Sequence, residues 1–514
     1  MNRPSSLASF TSARRVLDRA VRLVAALAVL ATATACPPQP PTPPAPAAIT
    51  PGPPPAAVTP RPEPLAVKEE HLKMGRFGLG TYLQPAHMNG TIVLVLSGLD
   101  GFRGEAGVIA RALAERGALV AELDLTTYLQ RMKTGAQDEC SWPTIDFQTV
   151  TKHMGKGAGL PHFVAPVLVG YREGASLALT TAAQAQPDMF RGVVTVGFCP
   201  DLDLPRPPCA GTVGLGWQPA SAHRMGRITP PSQMPVPWVA LEDRARPLCG
   251  STDAETFVSK TPGATIEWLA ANAATGSALT ASVVADVEKL MPAAPAPPTA
   301  PPTGADRIAE LPLTEMPATG GSSDTVAVFV SGDGGWASLD EQLSEYLNEH
   351  GVPVVGLSSV RYFWDKHEPD GVAHDLELIS RHYLEKWGKQ RLLWIGYSAG
   401  ADVLGYVSAR MPADLLAKTR AVALVGPETN VEFEFHVTDW IPTTRHNVTG
   451  LPILPELMKL RGPRVLCVEG EDEAASLCPQ IPADHATIVS FPGGHHFGGD
   501  YHAIGKAILD ATPK

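Results

Sequence analysis

A five-residue pattern in the second half of the chain carries the residues best suited to chemistry, Gly396-Tyr397-Ser398-Ala399-Gly400. The apolar run Leu392 to Ile395 before it predicts a buried strand, and the stretch from Ala401 to about Ala409 predicts a helix. A G-x-S-x-G pattern between a strand and a helix is typical of a nucleophile elbow, a turn so tight that small residues must flank the serine. We therefore predict that Ser398 is a nucleophile. The alternative is a small residue that permits a sharp turn.

A serine hydroxyl is a weak nucleophile, so it needs a histidine base that is itself oriented by a carboxylate. The loop Gly493-Gly494-His495-His496-Phe497 follows the last predicted strand and offers two histidines. His495 is the preferred base because thioesterase-like hydrolases place the base directly after a Gly-Gly pair, and His496 is the alternative. A metal site is a further alternative, with ligands from His495, His496, Asp500 and His502.

The carboxylate is expected after the preceding predicted strand, Arg464 to Val468, which opens into Glu469-Gly470-Glu471-Asp472-Glu473. Hydrolases of this type place the acid three residues after such a glycine, which favours Glu473. Aspartate is the commoner residue in the role, which favours Asp472. We prefer Glu473 and keep Asp472 as the alternative. A further alternative is a solvated acidic loop. Serine, acid and histidine then follow one another in the chain order of α/β-hydrolases.

An oxyanion hole needs two backbone N–H groups directed at the developing negative charge. We predict one from Ala399 and the other from Gly334 or Asp333, in the glycine-rich loop Ser331 to Trp336. A dinucleotide fingerprint fails there because Ala337 stands at the third glycine position, and no phosphate-binding Walker pattern occurs. No cofactor is therefore expected. No metal is expected either, because the metal alternative competes with a serine and an acid already in position.

The first half of the chain repeats this organisation with one decisive difference. Its Gly-Tyr pair continues as Gly170-Tyr171-Arg172-Glu173-Gly174, so Arg172 replaces the serine. A guanidinium stays protonated and cannot attack an acyl carbon. Strands alternating with helices in both halves predict an α/β protein with two tandem α/β-hydrolase-like domains and mostly parallel sheets, the first lacking the nucleophile. The matching stretches are Ile92 to Phe102 and Val326 to Trp336.

Composition divides the chain further. Residues 1–35 have the basic and apolar regions of a signal peptide, and Cys36 follows Ala33-Thr34-Ala35 in the manner of a lipobox. We expect a periplasmic lipoprotein acylated on Cys36, with a free periplasmic protein as the alternative. The Pro-rich stretch 36–65 predicts a tether and the Pro/Ala-rich stretch 292–305 a linker, which bound a first domain at 66–291 and a second at 306–514.

Cysteine usage and charge agree with export. Beside Cys36 the chain has six cysteines, and an even number in an exported chain suggests disulfides. Cys467 and Cys478 are predicted to pair, whereas three connectivities are open to the other four, Cys140, Cys199, Cys209 and Cys249. The net charge of −11 argues against nucleic acid as the main partner.

One segment between the nucleophile and the acid alternates like a strand, Glu432 to Val437 followed by Asp439-Trp440. Hydrolases insert lids and substrate pockets at this point of the chain. The segment is predicted to line a pocket or to form an edge strand.

Four motifs together resemble the bacterial virulence proteins AcvB and VirJ: Gly332 to Trp336, Gly396 to Asp402, Val431 to His436 and Gly493 to Phe497. The resemblance covers essentially all of the second half, and the first half looks like the N-terminal domain of the longer AcvB type. It implies a periplasmic α/β-hydrolase that cleaves the aminoacyl ester of lysyl- or alanyl-phosphatidylglycerol at a membrane surface.

By this resemblance Ser398 attacks the aminoacyl carbonyl, His495 acts as general base and then acid, and Glu473 or Asp472 orients it. Two other functions stay open: a periplasmic esterase or thioesterase on another acyl substrate, and a non-catalytic envelope or type IV secretion-associated binding protein. Envelope protein partners would then dock on the first domain.

Overall fold

The computed structural model describes residues 63–134, 140–186, 189–209, 213–219, 225–250, 252–270, 275–291, 305–336, 338–434 and 450–512. Within these ranges apolar runs rich in Val, Leu and Ile form strands, and amphipathic stretches between them form helices. The predicted signal peptide, Cys36 and most of the predicted tether and linker lie outside the described residues. No helix among the described residues is long and apolar enough to cross a membrane.

The first domain is built around one large, mostly parallel sheet in the order β1-β2-β4-β3-β5-β6-β10-β11, with a small antiparallel sheet β7-β9-β8 beside it. Antiparallel pairing in the large sheet joins β1 to β2 and β2 to β4. The strands are β1 Val67–Lys73, β2 Leu79–Pro85, β3 Ile92–Leu96, β4 Leu119–Leu123, β5 Val167–Tyr171, β6 Gly192–Val196, β7 Asp201–Leu202, β8 Gly216–Gln218, β9 Gly226–Thr229, β10 Trp238–Glu242 and β11 Ala264–Trp268. The helices are α1 Glu105–Glu115, α2 Leu125–Met132, α3 Thr144–Gly157, α4 Glu173–Gln184, α5 Asp253–Ser259 and α6 Gly276–Lys289.

The second domain repeats the plan with the sheet order β12-β14-β13-β15-β16-β19-β20, and β12 is antiparallel to β14. A short pair, β17 with β18, lies outside this sheet. The strands are β12 Leu313–Met316, β13 Thr325–Val330, β14 Val354–Leu357, β15 Arg391–Tyr397, β16 Thr419–Val425, β17 Asn430–Val431, β18 Leu451–Pro452, β19 Arg464–Gly470 and β20 Ala486–Phe491. The helices are α7 Ala305–Glu310, α8 Ser338–Glu349, α9 Ser359–Tyr362, α10 Pro369–Lys386, α11 Ala399–Val407, α12 Ala413–Lys418, α13 Leu454–Leu457 and α14 Tyr501–Ala511.

The core of the second domain lies on both faces of its sheet because successive strand residues point to opposite sides. Trp394 packs in the hydrophobic cluster on one face and Ile395 in the cluster on the other. Helix ends follow local chemistry: Pro369 starts α10, and the Asp500 carboxylate accepts the Ala503 N–H to cap α14. The predicted α/β fold with two tandem, mostly parallel sheets is confirmed.

Helix α3 of the first domain packs against the second domain, and residues 62–514 form one compact unit. The Trp364 indole donates to the Leu160 carbonyl at 2.9 Å, and Gln186 donates to Glu341 at 3.2 Å. The two domains are therefore packed together despite the predicted linker between them. The predicted domain boundaries stay predictions.

The cysteines follow the predicted pattern in part. Cys467 and Cys478 form the predicted disulfide, and Cys140 pairs with Cys209. Cys199 and Cys249 have free thiols, so the even cysteine count did not translate into full pairing.

The strand pattern predicted from Glu432 onward is not formed in the described residues, because β17 ends at Val431. The remainder of that segment, from Phe435 to Trp440, lies outside the described residues.

Candidate active site

Ser398 lies on a sharp turn between β15 and α11, at φ 53° and ψ −125°. The Ser398 N–H donates to the Val425 carbonyl at 2.9 Å, which ties the turn to the neighbouring strand. A Cβ at Gly396 would lie 2.3 Å from the Gly400 carbonyl oxygen, and one at Gly400 would lie 2.0 Å from the Val330 oxygen. Both glycines of the pattern are therefore sterically required, and the strained φ of the serine is that of a nucleophile elbow.

The first domain keeps the same turn without the nucleophile. Arg172 has φ 51° and ψ −117°, close to the values at Ser398. The carboxylate of the next residue, Glu173, accepts the Leu99 N–H at 3.2 Å. Leu99 occupies the position that Asp333 holds in the second domain, so a carboxylate already fills the place where an oxyanion would bind. The first-domain turn therefore lacks the serine, and the N–H equivalent to one of the predicted oxyanion donors is bound to a carboxylate.

Glu473 and His495 meet at the carboxyl ends of β19 and β20. His495 Nδ1 donates a hydrogen bond to Glu473 Oε1, a tautomer that leaves Nε2 available as a base. Glu473 is held by its own turn, because the Gly470 N–H donates to its carboxylate at 3.3 Å and the Glu473 N–H donates to the Gly470 carbonyl at 3.0 Å. The predicted spacing of three residues after a glycine has this turn as its physical basis.

The alternative residues lie elsewhere. Asp472 is exposed, and its N–H donates to the Gly493 carbonyl. His496 is also exposed, with Nδ1 3.3 Å from the Tyr397 hydroxyl. Of the alternatives that the sequence leaves open, the structure brings Glu473 and His495 together. Their catalytic roles stay predictions.

The metal alternative does not form within the described part of the chain, where no three His, Cys, Asp or Glu side chains converge to hold an ion. Asp500 caps α14, and the His502 ring lies 5.6 Å from that of Tyr346.

The electrostatics of the pair suit a general base. Burial acts to lower the pKa of His495, but its hydrogen bond to Glu473 and the charge of that carboxylate outweigh burial and raise the pKa above its ordinary value. Burial acts to raise the pKa of Glu473, and the hydrogen bond and charge of His495 bring it below the ordinary value. Glu473 is therefore the ionised partner of the pair.

Two residues that shape the site were missed in the sequence. The Tyr397 ring stacks on the His495 imidazole at 5.3 Å between centroids. Gly426, directly after β16, has φ 62°, and a Cβ there would lie 3.0 Å from His495 Cε1. Gly426 could have been identified in the sequence as a glycine directly after the strand that follows the nucleophile strand.

The glycine-rich loop after β13 lies against the nucleophile, since a Cβ at Gly332 would be 3.4 Å from Ser398 Cβ. The Gly335 N–H donates to the Gly332 carbonyl at 3.0 Å and closes a turn that uses neither the Asp333 nor the Gly334 N–H. The first-domain equivalent of the Asp333 N–H, at Leu99, donates to a carboxylate beside the elbow. That comparison concerns the Asp333 N–H alone. Both predicted donors of the loop, Asp333 and Gly334, stay predictions, as does Ala399 at the start of α11.

The Ser398 hydroxyl itself makes no hydrogen bond within the described residues. Hydrogen bonds between a nucleophile and its base are often long in ligand-free structures and tighten when substrate binds.

Strand order and the elbow define the class, an α/β-hydrolase fold, and Ser398, Glu473 and His495 lie at the carboxyl edge of its second sheet. The family model described as bacterial virulence protein (VirJ) matches residues 324–514, which contain this site, and the family resemblance is thereby confirmed for that part of the chain. No curated protein matches the sequence.

Solved structures similar to this chain include several hydrolases. Est1E from Butyrivibrio proteoclasticus is 15% identical and aligns over 39% of this chain and 93% of its own, with a TM-score of 0.29. XC6422 from Xanthomonas campestris, described as an a/b serine hydrolase without lid, is 14% identical over 39% and 85%, with a TM-score of 0.27. Proline iminopeptidase from Mycobacterium smegmatis is 11% identical over 39% and 94%, with a TM-score of 0.29.

Proposed function

We propose that this protein is a serine hydrolase that cleaves the ester between an amino acid and the headgroup of lysyl- or alanyl-phosphatidylglycerol. The observation that carries the proposal is the hydrogen-bonded Glu473 and His495 pair beside the strained elbow of Ser398. A base, its orienting acid and an accessible nucleophile are the parts that acyl transfer requires, and Ser398 is partly exposed.

In the proposed reaction His495 Nε2 removes the proton of Ser398 as its oxygen attacks the ester carbonyl. The N–H groups of Ala399 and of Asp333 or Gly334 stabilise the tetrahedral oxyanion. Collapse breaks the ester bond, and His495 gives its proton to the departing glycerol oxygen of phosphatidylglycerol. Water, deprotonated by His495, then attacks the aminoacyl-serine. The bond between the acyl carbon and the Ser398 oxygen breaks, His495 returns its proton to that oxygen, and the free amino acid leaves.

Charge around the site supports a substrate that carries an ammonium group. The carboxylate of Glu428 lies close enough to His495 to contribute to its raised pKa, and so does that of Asp333, although its charge is paired with Lys152. An aminoacyl ester brings its α-ammonium near the reacting carbonyl, and a lysyl group brings a second one. Negative potential at the site attracts such a substrate.

We further propose that the protein acts in the periplasm, tethered to a membrane by a lipid on Cys36. The basic and apolar regions of residues 1–35, the cysteine after them and the Pro-rich stretch support this. The two disulfides agree with an oxidising compartment.

The test is to incubate the purified protein with vesicles of lysyl- or alanyl-phosphatidylglycerol and to measure the released amino acid. We expect release by the wild type and a loss of at least about 10³-fold in Ser398→Ala, as for other serine triads. Arg172→Ala changes the equivalent elbow residue of the first domain and is the matched control, with unchanged release expected. No serine-dependent release from either lipid would refute the substrate; turnover of generic acyl esters alone would favour an esterase or thioesterase, and no turnover at all a binding protein.

A further inference from the structure

A lysine of the first domain reaches the predicted oxyanion loop of the second. Lys152, on α3, forms an ion pair of 2.9 Å with the Asp333 carboxylate and lies 3.4 Å from the Asp333 carbonyl oxygen. The two residues are 181 positions apart in the chain. The lysine side chain is 9% exposed, whereas that of Asp333 is 58% exposed. Lysine is rarely buried to this extent unless it is paired, so the contact is a specific feature of the domain interface.

The contact acts on the backbone that presents the oxyanion donors. Because a peptide group is planar, a hydrogen bond to a carbonyl also fixes the N–H of the following residue. The Gly335 N–H holds the Gly332 carbonyl and thereby the Asp333 N–H. The Lys152 ammonium holds the Asp333 carbonyl and thereby the Gly334 N–H. The peptide group of each candidate donor is thus fixed by a hydrogen bond to its carbonyl oxygen. For the Asp333 N–H this bond comes from within the loop, and for the Gly334 N–H it comes from the first domain.

Helix α3 is itself held in place by the second domain. Lys156, one turn after Lys152 and on the same helix face, donates to the Trp364 carbonyl. The Trp364 ring packs where a Cβ at Gly155 would lie only 2.7 Å from it. The position of Lys152 is therefore set by packed backbone and not by a flexible side chain reaching across solvent.

We propose that Lys152 is a positioning residue for the oxyanion hole of the second domain, so that the domain without a nucleophile completes the active site of the other. The inference rests on the proposed serine hydrolase function. Lys152 touches no reacting atom. Its ammonium orients the Asp333 to Gly334 peptide and neutralises the Asp333 carboxylate, whose unpaired charge would oppose an oxyanion beside it.

The test measures how fast a fluorophosphonate probe labels Ser398 in the full chain, since this reaction needs the nucleophile and the oxyanion hole but no particular substrate. We expect Lys152→Met to slow labelling about 10- to 100-fold, the range for a displaced oxyanion donor, and Lys152→Arg to restore most of the rate. Gln186→Leu removes an interface hydrogen bond to α8 and is the control, with an unchanged labelling rate. Thermal unfolding of every variant separates misfolding from mispositioning.

A cycle with Asp333→Ala, which keeps the backbone N–H, tests the route of the effect. Asp333→Ala also keeps the backbone carbonyl that Lys152 holds. If Lys152 orients the Asp333 to Gly334 peptide, Lys152→Met therefore still slows labelling in the Asp333→Ala background, and its aminoacyl-lipid turnover falls in kcat with KM little changed. Labelling of Lys152→Met at the wild-type rate would overturn the positioning role and leave the proposed function standing. Failure of the wild type to be labelled at Ser398 would overturn the proposed function and this inference with it.

Discussion

A carboxylate that accepts a hydrogen bond from an imidazole makes that imidazole a stronger base, and Glu473 does this for His495. The same contact selects the tautomer whose free nitrogen can take the serine proton. The sequence offered two neighbouring acids, Glu473 as the preferred candidate and Asp472 as the alternative. Glu473 is the one that the Gly470 turn directs at the histidine, whereas Asp472 is exposed.

Replacing Glu473 with glutamine is expected to lower kcat about 10⁴-fold, because the imidazole loses its orienting anion. The acidic limb of the kcat/KM profile reports the pKa of His495 in the free enzyme, since the neutral base is the active form. In the wild type this limb lies above the ordinary histidine value of about 6.5. In Glu473→Gln the burial that lowers the pKa of His495 remains, but the carboxylate that raises it is gone. The acidic limb therefore moves to lower pH.

The measurement is hydrolysis rate against pH for the wild type, Glu473→Gln and Asp472→Asn. Asp472→Asn is expected to keep both the rate and the limb. A profile in which Asp472→Asn, and not Glu473→Gln, shifts the limb would assign the acid to the other residue.

Four adjacent strands gather the site at the level of elements. β15, β16, β19 and β20 pair in parallel register, so the loops after them meet at one edge of the sheet. Ser398, Gly426, Glu473 and His495 each follow one of these strands. The Cys467–Cys478 disulfide ties β19 to the chain beyond the acid loop.

Gly426→Ala is expected to lower kcat about 10²-fold, because the new methyl group would meet the His495 imidazole at 3.0 Å and displace the base. Gly462→Ala is the matched control. Gly462 also has a positive φ, of 104°, but nothing lies within 4 Å of its Cβ position, so this variant has the backbone strain without the collision. Kinetics and thermal unfolding of both variants check the expectation; equal losses of activity in the two would contradict it.

The two domains of the molecule share a buried interface that includes a titratable group. Glu341, on α8, accepts a hydrogen bond from Gln186 of the first domain. Burial, with the charges of Glu345 and Asp340, raises the pKa of Glu341 to about 8. The folded protein therefore keeps a proton on this carboxyl group up to a pH at which the unfolded chain has lost it.

Because the unfolded chain binds fewer protons between about pH 4.5 and 8, Glu341 lowers the free energy of unfolding as pH rises through that window. Glu341→Gln imitates the protonated side chain. It is expected to raise Tm at pH 8.5, by about 2–4 °C for each kcal/mol added to the free energy of unfolding, and to leave Tm near pH 4.5 unchanged. Thermal unfolding at both pH values checks this. The control is Glu349→Gln, exposed on the same helix; an equal gain there, or a gain for Glu341→Gln at pH 4.5, would contradict the assignment.

Many features of this protein could be predicted from residues that are close together in the chain. Apolar runs and their spacing predicted two mostly parallel α/β sheets, because burial on both faces demands continuous apolar strands. The elbow at Ser398, its copy at Arg172 and the Cys467–Cys478 pair could be identified because each depends on residues close together in the chain. The histidine loop and the acidic loop were identified as regions by the same reasoning.

Three features depended on tertiary structure. They are the pairing of His495 with Glu473 and not Asp472, the close approach of Gly426 to the imidazole, and the free thiols of Cys199 and Cys249. The contact of Lys152 with Asp333 across 181 positions depended on it as well. Local sequence fixes which backbone conformations are accessible, and that is enough for strands, helices and a strained turn. Which side chains then meet depends on how loops from separate strands, and helices from separate domains, pack against one another, and no periodicity along the chain encodes that distance.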